Sequence, residues 1–469
     1  MDMSHKTSRL FLIILVICHL VLASVYAFQT PYRKAGLLLS QRQADGSYAP
    51  AQDIGAPDER QHANYIEFLK REHRLPVFNP KSPRLYEEYQ SHQPPLFYGL
   101  AAVVSTGQDV ESQSFGMTVR LLNAVIGSVG VVGAFFAALW GFRSKEVAVL
   151  SAAIFALLPM NVALSGAISN DPLLIAFSTW SFAFCLRVWN SDFDKGQQDD
   201  AGTEGGAFQV KWLILAGVLA ALACLTKSSG LIALVSVAVV SVAAVRKARE
   251  LRSFKLVAIL LLPLLLVSPL WLRNQFIYGD PLAQKAFKEA FTGSAQKAQI
   301  VQAIEASNAA GSPEVQYWVN WVGYWTARSF VGVFGYMDIW LNETTKPNSK
   351  DDPNTLYKGI IFLHFLTMGA GLLIARKLSA HTRTVMASVG LCALAILVFV
   401  GFNNTYFQAQ ARYLFPALAG FTGLMAYGWY QLVGKRWQVA VAVVLLVYGY
   451  LNWVALSQLG AEFAKRVLS

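Results

Sequence analysis

Six short clusters carry the side chains that could do chemistry: Asp58-Glu59, His92-Gln93-Pro94-Pro95, Asn170-Asp171, Lys227, Arg273-Asn274 and Arg412. A carboxylate held at a membrane surface can take a proton from a hydroxyl or amine, or ligate a divalent cation, for which Asp58 and Asp171 would be the ligands. The basic residues offer phosphate binding, Arg as a planar donor fork and Lys as a compact charge. Each cluster also has a purely structural reading. Asp58, with Gln61 three residues later, resembles a capping box. Asp171 precedes Pro172 and reads as an anion at a helix start. Lys227, Arg273 and Arg412 stand at helix ends, where long cations snorkel to lipid phosphates.

These residues must be positioned by membrane helices. Of 469 residues, 55% are hydrophobic and 14% charged, against about 25% charged in an average soluble domain. A soluble enzyme is excluded on that ground. The surplus of 11 positive charges points to lipid headgroups rather than nucleic acid in so apolar a chain. Crossing the hydrocarbon takes roughly 20 apolar residues. Residues 10–28, 117–142, 147–168, 172–188, 256–272, 359–375, 384–402, 413–433 and 437–456 qualify. The run 212–246 is too long for one span and holds one charge, Lys227, so it is expected to fold back there. With the N-terminus inside, that choice places Arg143 and Lys145, then Arg246, Lys247, Arg249, Arg252 and Lys255, then Arg376, Lys377 and Arg383, then Lys435 and Arg436 in cytoplasmic loops. A single helix over 212–246 would put the richest basic loop outside.

The expected fold is therefore an all-α polytopic membrane protein, a single domain over 1–469 with about eleven transmembrane helices. Two large extracytoplasmic loops, 29–95 and 278–356, contain interfacial helices, and the C-terminus is outside. The first apolar run reads as an uncleaved anchor, its core exceeding the 7 to 15 residues typical of a signal peptide. Residues 190–209 read as a solvated connector. The six clusters gather at the outer ends of the helices, which makes the expected site extracytoplasmic. Trp318, Trp321 and Trp325 share one helical face and read as an interfacial belt, with a wall for a sugar or isoprenoid as the alternative. His364 reads as hydrogen-bonded between helices. Cys18, Cys185, Cys224 and Cys392 lie in apolar runs and read as core residues. Asn342-Glu343-Thr344 and Asn403-Asn404-Thr405 match the glycosylation pattern.

The order of these clusters, with Pro-Pro-Leu-Phe at 94–97, Thr226-Lys227, Leu272-Arg273-Asn274 before Tyr278-Gly279-Asp280-Pro281, and Ala411-Arg412-Tyr413-Leu414-Phe415-Pro416, resembles bacterial GT-C membrane glycosyltransferases, in particular the protein O-mannosyltransferase and lipid A aminoarabinose transferase families. The resemblance implies inverting transfer of a monosaccharide from a polyprenyl-phosphate carrier to an envelope lipid, glycan or protein acceptor outside a bacterial inner membrane. It makes Asp58, with Glu59 beside it, and Asp171 the catalytic candidates. His92, Gln93, Lys227, Arg273 and Arg412 become the substrate and phosphate contacts, with a divalent cation as the conceivable cofactor. Aminoarabinose transferases commonly carry a lysine where His92 and Gln93 stand. A lipid-linked glycan flippase or transporter, and a glycan polymerase or ligase, are the rival readings.

Overall fold

The structure is a computed structural model; it describes residues 3–32, 55–190, 205–247, 254–292, 295–307, 310–335, 337–341, 355–375, 379–434 and 436–468. Asn342-Glu343-Thr344, most of the 190–209 connector and Arg249, Arg252, Arg376, Lys377 and Lys435 lie outside the described residues.

The chain runs through α1 (His5–Gln29), α2 (Glu59–Glu72), α3 (Leu85–Glu88), α4 (Leu96–Val104), α5 (Gln113–Phe142), α6 (Lys145–Leu157), α7 (Pro159–Ser165), α8 (Asp171–Trp189), α9 (Gly205–Thr226) and α10 (Leu231–Lys247). It continues through α11 (Phe254–Tyr278), α12 (Gln284–Ala290), α13 (Lys297–Ala306), α14 (Pro313–Gln316), α15 (Tyr324–Val331), α16 (Thr355–Ala375), α17 (Ser379–Asn403), α18 (Leu418–Val433) and α19 (Trp437–Leu468). Short 3-10 turns occupy Tyr89–His92, Ser228–Gly230 and Ala411–Ala417. A two-residue hairpin, β1 (Val333–Phe334) against β2 (Ile339–Trp340), is the one antiparallel ladder among the described residues. Apart from an isolated antiparallel bridge between Gln296 and Tyr406, the remaining regular structure among the described residues is helical, including a π turn at Tyr317–Gly323.

Each of the expected apolar segments is helical. Among the described residues seven helices, α1, α5, α8, α11, α16, α17 and α19, are long and apolar enough to cross a membrane, or eight with the bent pair α6–α7, against the expected count of about eleven. The segment expected over 147–168 is bent by 61° between α6 and α7. Pro159 explains the bend: it donates no N–H and its ring disfavours a helical Leu158, which is extended. Buried His19 of α1 fills the break, with Nδ1 2.8 Å from the Ala156 carbonyl and Nε2 3.1 Å from Ser165 Oγ. The fold-back at Lys227 is present, for α9 ends at Thr226, Lys227 is extended and α10 follows one 3-10 turn later. Gly230 permits that tight return, since a Cβ there would stand 2.3 Å from the Ala223 carbonyl carbon.

Helix α5 is the axis of the bundle, packed on α1, α6 and α8; α8 in turn lies against α9, and α18 against α6 and α16. The cysteines behave as core residues, three buried and Cys18 half-buried. His364 joins α16 to α19 through Tyr448, Nε2 to hydroxyl 2.6 Å. Trp321 packs edge-on against Phe407, and Trp325 lies against Trp340. The tryptophans therefore cover neighbouring segments of the same chain.

One buried ion pair fixes how the first large loop enters the bundle. Arg120 of α5 grips Glu59 with both forks, Nε to Oε1 2.7 Å and an Nη to Oε2 2.6 Å, and donates to the carbonyls of Ala27, Thr30 and Pro31. Glu59 also accepts from the Ile168 N–H at 2.9 Å. The end of α1, the start of α2, α5 and the turn before α8 thus meet at one carboxylate. Removing one partner strands a buried charge, so Arg120→Ala is expected to cost about 3–5 kcal/mol. Thermal unfolding in detergent measures it; an unchanged midpoint would show that the pair does not secure this junction.

Candidate active site

Four of the expected residues form a continuous row of alternating charge at one end of the bundle. Tyr89 donates its hydroxyl to Asp58 Oδ1. Arg412 places one Nη 2.5 Å from Asp58 Oδ2 and the other 3.7 Å from Asp171 Oδ2. Lys227 Nζ lies 2.5 Å from Asp171 Oδ1. The aromatic face of Tyr413 lies 5.4 Å from both Lys227 and Arg412. Asp171 and Arg412 are almost fully buried, while Lys227 keeps 12% and Asp58 18% of the side chain exposed.

Local backbone geometry aims each member. Asp58 takes the left-handed conformation, φ 62°, just before α2, and its side chain caps nothing. The capping-box expectation is therefore corrected: the Asp58 carboxylate turns to Tyr89 and Arg412, and Gln61 donates to the Tyr86 carbonyl instead. Asp171 opens α8 ahead of Pro172, and the Ser169 hydroxyl donates to it at 3.2 Å. Lys227 fills the return between α9 and α10, and Arg412 sits in the 3-10 turn before α18.

Three expectations change. Glu59 is turned into the protein and held by Arg120, so its geometry is that of an anchor rather than a second reacting acid. Arg273 stands apart from the row, donating to the Pro76 carbonyl at 2.6 Å and to Asn274 at 3.2 Å. Arg412, one cation among several by sequence, bridges both acids. His92 and Gln93 line a small cleft with Pro94, Ser228, Trp271 and Asn274.

Other members carry no signal of their own in the sequence. His62 lies one helical turn beyond Asp58, its Nδ1 2.8 Å from the Tyr98 hydroxyl, and Tyr98 stacks on Tyr65 at 3.9 Å. A spacing of four from Asp58 on an expected helix was the available clue to His62. Tyr89 had the weaker clue of lying three residues before His92.

Burial alone would raise the Asp58 carboxyl, but the charge of Arg412 and the hydrogen bonds from Tyr89 and Arg412 outweigh it and bring it down to about 2. Burial depresses His62 to about 3 and His92 to about 4, so both imidazoles are neutral at pH 7. The donor set does not fit a metal ion. Among the described residues no three His, Cys, Asp or Glu side chains converge, and Arg412 occupies the place between the two carboxylates that a shared cation would need.

The family model for dolichyl-phosphate-mannose-protein mannosyltransferase matches residues 80–279, under half of the chain. No curated protein sequence matches it. Among solved structures, ArnT from Cupriavidus metallidurans bound to undecaprenyl phosphate is similar with a TM-score of 0.56 at 16% identity, covering 97% of this chain and 77% of that one. The oligosaccharyltransferase AglB from Archaeoglobus fulgidus, in complex with an inhibitory peptide and a dolichol-phosphate, gives 0.51 at 13% identity over 95% of this chain and 56% of that one. The same organism's oligosaccharyltransferase tethered with an acceptor peptide gives 0.53 at 15%, over 95% and 55%. The chain thus spans about half the length of the archaeal structures. These are GT-C glycosyltransferases, and the chain has the GT-C fold.

Acid should unfold the protein in two stages. The two depressed histidines bind protons more readily when unfolded, so their contribution is complete above about pH 6.5 and is lost as pH falls toward 4 and 3. The depressed Asp58 contributes above its ordinary 3.8 and loses that contribution as pH falls through about 2. Melting temperature against pH is expected to decline from near 6.5 downward, with His62→Gln flattening the upper part and Asp58→Asn the lower. A curve for Asp58→Asn parallel to wild type below pH 4 would contradict the assignment.

Proposed function

We propose that this GT-C fold transfers a monosaccharide from a polyprenyl-phosphate carrier to a nucleophilic group of an envelope lipid, glycan or protein, on the extracytoplasmic side of a bacterial inner membrane. The row Asp58–Arg412–Asp171–Lys227 carries this reading. It supplies a proton acceptor and two cations at the same place, where helix ends meet the loops.

As the bond between anomeric carbon and phosphate oxygen breaks, its electron pair leaves with the phosphate and the sugar becomes cationic in character. Lys227 and Arg412 face the growing negative charge in a poorly hydrated site, where fixed cations are most effective. The acceptor group attacks from the opposite face of the sugar, which inverts the anomeric centre, and its proton passes to Asp58. A carboxyl at about 2 is a poor base at neutral pH. Arg412 gives it a remedy, because a guanidinium that turns to the carrier phosphate leaves Asp58 less stabilised as an anion and more basic. Asp171 orients Lys227, and Glu59 fixes the loop that carries Asp58.

Transfer from synthetic polyprenyl-phosphate monosaccharides to an envelope acceptor extract by purified protein tests the reading. Asp58→Asn is expected to lower kcat by roughly 10² to 10⁴, the usual worth of a general base, with the donor KM little changed. Arg412→Gln is expected to lower kcat/KM for the donor. Full turnover in Asp58→Asn would remove the proposed base, and movement of intact carrier lipid across vesicles without sugar release would replace transfer by transport.

A further inference from the structure

Arg412 joins Asp58 to Asp171 in the resting row, yet the proposed reaction turns that guanidinium toward the carrier phosphate. A second connection, made without charge, links the same segments. The His62 N–H donates to the Asp58 carbonyl at 3.0 Å, and His62 Nδ1 lies 2.8 Å from the Tyr98 hydroxyl. That hydroxyl lies 3.5 Å from Asn170 Nδ2, which in turn lies 3.3 Å from the Thr226 carbonyl. Asn170 directly precedes Asp171, and Thr226 directly precedes Lys227. His62, Tyr98, Asn170 and Thr226 are all buried.

The protons in this chain have one consistent arrangement. The Thr226 carbonyl only accepts, so the Asn170 amide presents its NH2 to it and to the Tyr98 oxygen. Tyr98 accepts there, which leaves its own proton for His62 Nδ1. One hydroxyl thus joins the loop that carries Asp58 to the two turns that carry Asp171 and Lys227. Tyr89 cannot do this, because it lies in the same loop as Asp58. The Tyr98 ring is held by packing: it stacks on Tyr65 with centroids 3.9 Å apart, lies within 24° of the plane of His62, and meets Phe97 edge-on at 5.4 Å. Its hydroxyl therefore keeps its place when the charges around it are rearranged.

Resting on the transferase reading, we propose that Tyr98 is a positioning residue: its hydroxyl keeps Asp58 in register with Asp171 and Lys227 while Arg412 is engaged with the carrier phosphate. Reacting groups tolerate little displacement, since a misplacement of about 1 Å costs on the order of 10²-fold in rate.

The test uses purified full-length protein and Tyr98→Phe, which keeps the stacked ring and deletes only the hydroxyl. With synthetic polyprenyl-phosphate monosaccharides, kcat is expected to fall by roughly 10- to 10²-fold, with the donor KM little changed. In an Asp58→Asn background the same substitution should lower the residual turnover hardly at all, because the group being positioned is gone. A loss of folded protein would scale both backgrounds alike, so equal factors in the two overturn the proposal, as does an unchanged kcat. Asn170→Ala cuts the chain at its next link without removing a helix cap; it should show the same pattern and serves in place of Tyr98→Phe if that variant does not fold. Amide hydrogen exchange in detergent is read in parallel. Either variant should speed exchange in both the loop that carries Asp58 and the turns that carry Asp171 and Lys227, and a change confined to the helix bearing the substitution overturns the proposal. If wild type transfers from no donor, the transferase reading fails by itself, and the exchange pattern still decides whether Tyr98 keeps these segments in register.

Discussion

Two carboxylates cannot stand ionised at a dry end of a helical bundle without a cation between them, and Arg412 is placed to be that cation. Its two Nη groups face Asp58 and Asp171, residues delivered from opposite parts of the chain, one by the loop after α1 and one by the start of α8. The bundle is arranged so that a residue beyond position 400 can close this contact. The 3-10 turn before α18 brings Arg412 down among α8 and α10. Everything else at the site is ordered around that guanidinium: Lys227 balances the remaining oxygen of Asp171, and Tyr89 the remaining oxygen of Asp58.

The positional core is a different ion pair. Glu59 and Arg120 are buried as deeply as Asp171 and Arg412, far more than Asp58 and Lys227, and spend their hydrogen-bonding capacity on backbone and on each other. Adjacent residues thus divide the labour. Asp58, in a left-handed conformation, turns to Tyr89 and Arg412, while Glu59, in the first turn of α2, is drawn into the bundle.

The helical architecture was legible because it depends on hydrophobic length, which is local. The fold-back at Lys227 could be read from one charge in a run too long for a single span, and the break at Pro159 was visible in principle from the missing N–H but was read as a continuous helix. The site was legible where a charged residue interrupts apolar sequence, as at Asp171, Lys227 and Arg412. It was not legible where the decision lies in three dimensions. Nothing local distinguishes Asp58 from Glu59, and nothing near Arg273 shows that its donors are taken by Pro76 and Asn274 rather than by the charged row. The central place of Arg412 over Arg273 is likewise a matter of packing between distant segments.

Tyr89 has a consequence of its own. Its hydroxyl holds Asp58 and its main-chain carbonyl holds His92, so the charged row and the cleft that His92 lines are tied to a single residue. A displacement of His92 would therefore be felt at the Asp58 carboxylate. The row and the cleft are mechanically coupled through that residue, so neither can shift without disturbing the other.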